Sequence, residues 1–80
     1  MPTSVLKFDA TAIDVTVSND RLFVTLADGR ELAVPLSWFP RLHEATDAQR
    51  RNWRFVGRGQ GIHWPEVDED ISVASLLRAA

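Results

Sequence analysis

Eighty residues, 45% of them apolar and 25% charged, with a net charge of −2 and no cysteine, describe one small globular domain. A chain of this size buries only about 60% of the surface its unfolded form exposes, so its margin of stability is thin. The absence of thiols excludes disulfides, zinc–thiolate centres and thiol catalysis; the slight acidity gives no whole-molecule attraction to nucleic acid, and no apolar run reaches membrane-spanning length.

The opening stretch "MPTSVLKFD" lacks the apolar core and cleavage pattern of a signal peptide, which gives the expectation of a cytoplasmic protein. Residues 1–80 read as a single domain, with 1–10 as a flexible N-terminal arm. Alternation then sets in. Ile13, Val15 and Val17 share one strand face with Asp14, Thr16 and Ser18 opposite, and Leu22, Val24 and Leu26 repeat the pattern. A two-residue Asn19-Asp20 loop pairs Val17 with Leu22, Val15 with Val24 and Ile13 with Leu26.

The next turn is fixed by parity. A two-residue Asp28-Gly29 loop would turn Leu32, Val34 and Leu36 to the wrong face. A three-residue Ala27-Asp28-Gly29 loop, with Gly29 left-handed in a bulge, pairs Val24 with Leu32 and Leu22 with Val34. The prediction is a three-stranded antiparallel meander whose third strand, carrying Pro35, lies at an edge or ends there.

"PLSWFPRL" reads as a turn or short helix capped by Ser37, with Trp38, Phe39 and Leu42 closing over the sheet. Thr46 and Gln49 have the spacing of a capping box for a brief helix, "DAQRRN". "WRFVG" sets Trp53 and Phe55 against Arg54 and Val56, and with "GIHW" after "GRGQG" it predicts a second short β ribbon with a glycine-rich turn. From Ser72, Val73, Leu76 and Leu77 fall at helical spacing, giving a C-terminal amphipathic helix. The fold class is α+β: the meander, the second ribbon, short helices and the C-terminal helix.

Three groups of residues invite a chemical reading. In an extended "PEVDED", Glu66, Asp68 and Asp70 point one way and Val67, Glu69 and Ile71 the other, so three carboxylates could meet a hard cation. The calcium-loop pattern fails, because the positions that need glycine and a bidentate glutamate hold Val73 and Ala79. The competing reading places Asp68, Glu69 and Asp70 at a helix entrance, with Asp70 or Ser72 as cap, each charge contributing roughly 0.3–1 kcal/mol there.

"RRNWRFVGRG" interleaves Arg50, Arg51, Arg54 and Arg58 with Trp53 and Phe55, the composition of a single-stranded nucleic-acid platform. The same arginines can instead pair with the acidic segment, and the aromatics sit at core-like alternation. His43 and His63 have no partner at zinc-helix spacing, no serine stands in a nucleophile elbow, and "GRGQG" leads into no helix, so it is a turn and not a phosphate loop. No catalytic residue, metal ligand or cofactor is assigned.

"LADGRELAVPLSWFPRLHEAT" followed by "RNWRFVGRGQGIHWPEVDEDISVASLL" resembles a bacterial family, domain of unknown function 2442, whose pattern runs DGR, PLSWFPRL, then G-GIHWP-LDEDISV-LL. Val67 stands where leucine is commoner. The resemblance covers residues 28–77 and implies a compact α+β domain without an established activity. Some members carry an appended helix-turn-helix domain, and some are encoded beside another small protein.

The expectation for function is a non-enzymatic interaction or regulatory module, the partner of a genomic neighbour in a two-protein bacterial system. Its binding surface is expected near Trp38, Arg50, Arg54, Arg58 and Trp64. Two other readings stand against it: a nucleic-acid-binding accessory domain using Arg50–Arg58, and a carboxylate metal-dependent enzyme. A homo-oligomer is compatible with all three, and no membrane is involved.

Overall fold

Strand alternation builds the first half as the sequence requires. In the computed structural model, which describes residues 7–79, β1 (Ala12–Val17), β2 (Arg21–Leu26) and β3 (Glu31–Pro35) form an antiparallel sheet in that order. Val17 faces Leu22 and Val15 faces Val24; Val24 faces Leu32 and Leu22 faces Val34. Gly29 adopts φ +95° in the three-residue loop, where Leu26 N–H reaches the Arg30 carbonyl at 2.8 Å. Val15, Val24 and Val34 are all buried on one side.

One expected pair is corrected. A register shift between Ala12 and Asp14 puts Ala12, not Ile13, opposite Leu26. The extra residue of the bulge turns Ile13 out to 56% exposure while Ala12 is buried.

After β3 the chain makes a 3-10 turn (Leu36–Trp38) and then two short helices, α1 (Pro40–His43) and α2 (Asp47–Arg51). Ser37 caps neither the turn nor α1; Phe39 N–H closes onto the Leu36 carbonyl, and Pro40 supplies the fixed φ that starts α1. Leu36 and Leu42 cover the sheet, whereas Trp38 stays 47% exposed. The capping box of α2 is complete: Gln49 N–H donates to Thr46 Oγ1 at 3.1 Å, and Thr46 N–H donates to Gln49 Oε1 at 2.9 Å.

The second ribbon forms from β4 (Arg54–Val56) and β5 (Gly61–Trp64), and β6 (Glu69–Ser72) makes it a three-stranded antiparallel sheet. This third strand stands where a helix entrance was expected. Asp68 takes a left-handed φ of +52°, reversing the chain after Pro65 so that Glu69 lies opposite Trp64 and Ile71 opposite Ile62. The helix α3 (Val73–Ala79) begins one residue later, with Ser72 as its cap: Ser75 N–H donates to Ser72 Oγ at 3.1 Å.

Both sheets feed one apolar cluster, including Leu22, Val24, Leu26, Leu36, Leu42, Ile62, Trp64 and Leu76. The sheets are tied by backbone as well. Ala12 N–H donates to the Gly59 carbonyl at 2.8 Å. The N-terminal arm expected over 1–10 lies largely outside the described residues.

Candidate interaction surface

The five residues expected at the surface separate into two kinds. Arg50 is only 8% exposed, and its guanidinium serves the fold: Nε donates to the Leu42 carbonyl at 3.1 Å and Nη2 to the His43 carbonyl at 2.6 Å. Both carbonyls lie at the C-terminal end of α1; that of Leu42 also accepts the Ala45 N–H at 3.2 Å, whereas that of His43 has the guanidinium as its donor among the described residues. Trp64 is fully buried, and its indole N–H donates to the Arg50 carbonyl at 3.0 Å. Neither side chain is offered to a partner, which corrects the expectation for both. The physical reason is that a buried indole N–H and a buried guanidinium each need acceptors, and here the interior supplies them.

Trp38, Arg54 and Arg58 do stand at the surface. Arg58 sits at φ +58° in the β4–β5 turn, and Arg51 is exposed at the end of α2. Arg54 lies on the outer face of the second sheet, opposite His63 on β5, which in turn lies opposite Asp70 on β6. His63 Nδ1 and Asp70 Oδ1 are 2.6 Å apart, a contact the sequence reading missed. Recognising β6 by its alternation would have revealed it.

The aromatics between the arginines turn the other way. Trp53 and Phe55 meet at a ring separation of 4.9 Å with a 54° tilt, half-buried against the core. They contact each other, and what remains open of Trp53 is an edge of the cleft it shares with Arg51.

The carboxylates of 66–70 also disperse. Glu66 accepts from Asn52 Nδ2 at 2.8 Å, Asp70 turns to His63, and the backbone carbonyl of Asp68 accepts from Arg41 Nη1 at 2.7 Å. No group of three metal-ligating side chains gathers among the described residues.

One exposed cleft lies beside Trp38. Its indole and Phe39 border a cleft of about 380 Å³ whose floor and far wall are Ile71, Leu76 and Ala79, with Asp70 at the rim. The 3-10 turn sets Trp38 outward, and the β6–α3 junction capped by Ser72 carries the opposite wall.

This is a small α+β domain of two three-stranded antiparallel sheets with an exposed indole beside an apolar cleft. The family model described as "Protein of unknown function (DUF2442)" matches residues 12–80, and the chain belongs to that family. It is similar to a protein of unknown function from Rhodospirillum rubrum ATCC 11170, known from a crystal structure at 2.75 Å resolution; the two share 30% sequence identity and a TM-score of 0.72 over 86% of each chain. Comparison with curated proteins gives no match.

Proposed function

We propose that the chain is a non-enzymatic protein-interaction module, the regulatory partner of a second bacterial protein, docking through the Trp38 cleft. The observation that carries this reading is Trp38 itself, an indole 47% exposed beside Phe39, Ile71 and Leu76 in a chain that buries Trp64 completely. Exposed aromatic anchors beside apolar clefts are where binding energy concentrates in protein interfaces. A cytoplasmic location belongs to the same reading; among the described residues no helix is long and apolar enough to cross a membrane.

The test uses the whole chain and the protein of a genomic neighbour as first probe. Wild type binds that protein stoichiometrically, and Trp38→Ala weakens binding at least tenfold while the melting temperature stays near wild type. Equal binding by both would sink the Trp38 reading. Binding lost only together with the fold would sink it too.

The nucleic-acid reading keeps one supporting observation: Arg51, Arg54 and Arg58 are exposed, and none forms an ion pair among the described residues. It lacks Arg50, and its two aromatics are engaged with each other. Binding to single-stranded oligonucleotide that falls steeply with salt, and falls again in Arg54→Ala, would restore it.

A further inference from the structure

The meander leaves one strand edge unpaired beside a groove. In an antiparallel ladder successive residues alternate between bonding the neighbouring strand and pointing away from it. Ser18 N–H bonds the Arg21 carbonyl at 2.9 Å, which fixes that parity and directs Thr16 and Asp14 toward β2. The N–H and C=O groups of Val15 and Val17 therefore point outward, and among the described residues nothing bonds them. They border a cleft of about 420 Å³ whose other wall is Asp47, Arg50 and Arg51 of α2 with Trp53 beside them.

We propose that this edge of β1 is a second docking site, which takes an extended peptide segment of a partner protein as an added strand. An unpaired strand edge is a template for a further strand, and main-chain pairing of this kind recurs in peptide recognition. The same edge already accepts backbone at its other end, where Ala12 N–H donates to the Gly59 carbonyl at 2.8 Å. An added strand continues that line.

The walls specify the chemistry of the occupant. Arg50 and Arg51 both line the groove, but Arg50 lies 3.6 Å from Asp47 and donates to the α1 carbonyls, so Arg51, which has no ion-pair partner among the described residues, is the cation left for an occupant. Half-buried Trp53 offers apolar ring surface beside it. Because side chains of an extended peptide alternate, the segment that fits carries an apolar residue toward Trp53 and an acidic one toward Arg51. This inference shares with the reading above only that the ligand is protein; it does not use the Trp38 cleft.

The probe is a displayed library of random heptapeptides selected on the whole chain, with enriched peptides then titrated into ¹⁵N-labelled protein. Enriched sequences alternate apolar and acidic residues, shift the Val15 and Val17 amide signals and slow their hydrogen exchange. Val17→Pro removes an edge N–H that β2 does not use, and it weakens binding at least tenfold. Arg51→Glu, on an exposed helix end that tolerates substitution, does the same, and Trp38→Ala leaves binding unchanged.

Peptides that bind Arg51→Glu as well as wild type overturn the proposal. So does binding lost only in Trp38→Ala, which would support the first cleft and reject this one. Protection of Val15 and Val17 that appears without peptide as the protein dimerises would assign the edge to a second copy and also overturn it.

Discussion

The indole N–H of Trp64 donates to the main-chain carbonyl of Arg50 at 3.0 Å, and the Arg50 side chain in turn donates to the carbonyls of Leu42 and His43. The end of α1 and the neighbouring α2 are thereby joined to the last residue of β5. A buried strand tryptophan holds the backbone of the residue whose side chain closes the preceding helix. Burial alone would not select an arginine there, but the His43 carbonyl at the helix end needs a donor.

Arg50→Met keeps most of the aliphatic stem and removes the guanidinium, leaving the His43 carbonyl without its donor and the Leu42 carbonyl with the Ala45 N–H alone. The expected loss is about 1–3 kcal/mol of unfolding free energy, from one unpaired acceptor and one lost hydrogen bond. Trp64→Phe keeps a large ring, orphans only the Arg50 carbonyl, and loses about 1–3 kcal/mol. Exposed Arg58→Ala should stay within about 0.5 kcal/mol of wild type. Urea denaturation of the three variants checks the ranking; an Arg50 variant as stable as the Arg58 variant would contradict the capping role.

Two glycines separate backbone strain from steric exclusion. Gly59 has φ +84°, and a Cβ built there meets Thr11 Cγ2 and lies 2.8 Å from the Ala12 carbonyl, the place where the two sheets join. Gly29 has φ +95° with nothing within 4 Å of its Cβ position. Gly29→Ala should therefore cost about 1–2 kcal/mol from the left-handed φ alone. Gly59→Ala adds about 1–3 kcal/mol of overpacking and forces the sheets apart. Thermal melts of both variants decide this, and equal losses would mean that the β4–β5 turn yields freely.

These sites show why part of the fold was legible and part was not. The meander register followed from parity at Leu32 and Val34 and from the glycine of the Asp28-Gly29 turn, and the α2 cap from Thr46 and Gln49 three apart. All of those signals are local. The bulge at Ala12–Asp14 answers to the Gly59 turn far along the chain, so alternation alone extended Ile13 into the core. An acidic run before Ser72 satisfies a helix entrance and a strand equally well, and only the Asp68 turn and pairing with β5 chose the strand. Residue type likewise could not tell Trp38 from Trp64 or Arg50 from Arg54, because the difference lies in which orphaned backbone groups happen to lie near each.

The β2–β3 loop also carries a titrating contact. Asp28 is held down to about 2 by its bonds to the Arg30 side chain, with the Arg30 and Asp9 N–H groups adding to the effect; the Asp9 N–H reaches Asp28 Oδ2 at 2.8 Å. A carboxyl whose folded value is depressed contributes stability that is fully present above its unfolded value of about 4 and is lost as the pH falls toward about 2. Asp28→Asn should therefore be less stable than wild type at neutral pH, with the gap closing across that acid window. Urea midpoints at neutral pH and at steps from about pH 4 to about pH 2 test this. A gap that stays constant through the window would rule the contact out as a source of stability.

The two extreme tryptophans give the last prediction, because they should part company in every measurement. Trp64 is 0% exposed, and its truncation to alanine should cost about 3–5 kcal/mol through cavity formation, enough to unfold a domain of this size. Trp38 is 47% exposed, and its truncation should cost under about 1 kcal/mol. Fluorescence reads the same asymmetry without truncating the core. With Trp53→Phe as background, acrylamide should quench one accessible and one shielded indole, and adding Trp38→Phe should remove the accessible fraction. A quenching curve unchanged by that substitution would place Trp38 in the interior and remove the anchor from the proposed interaction surface.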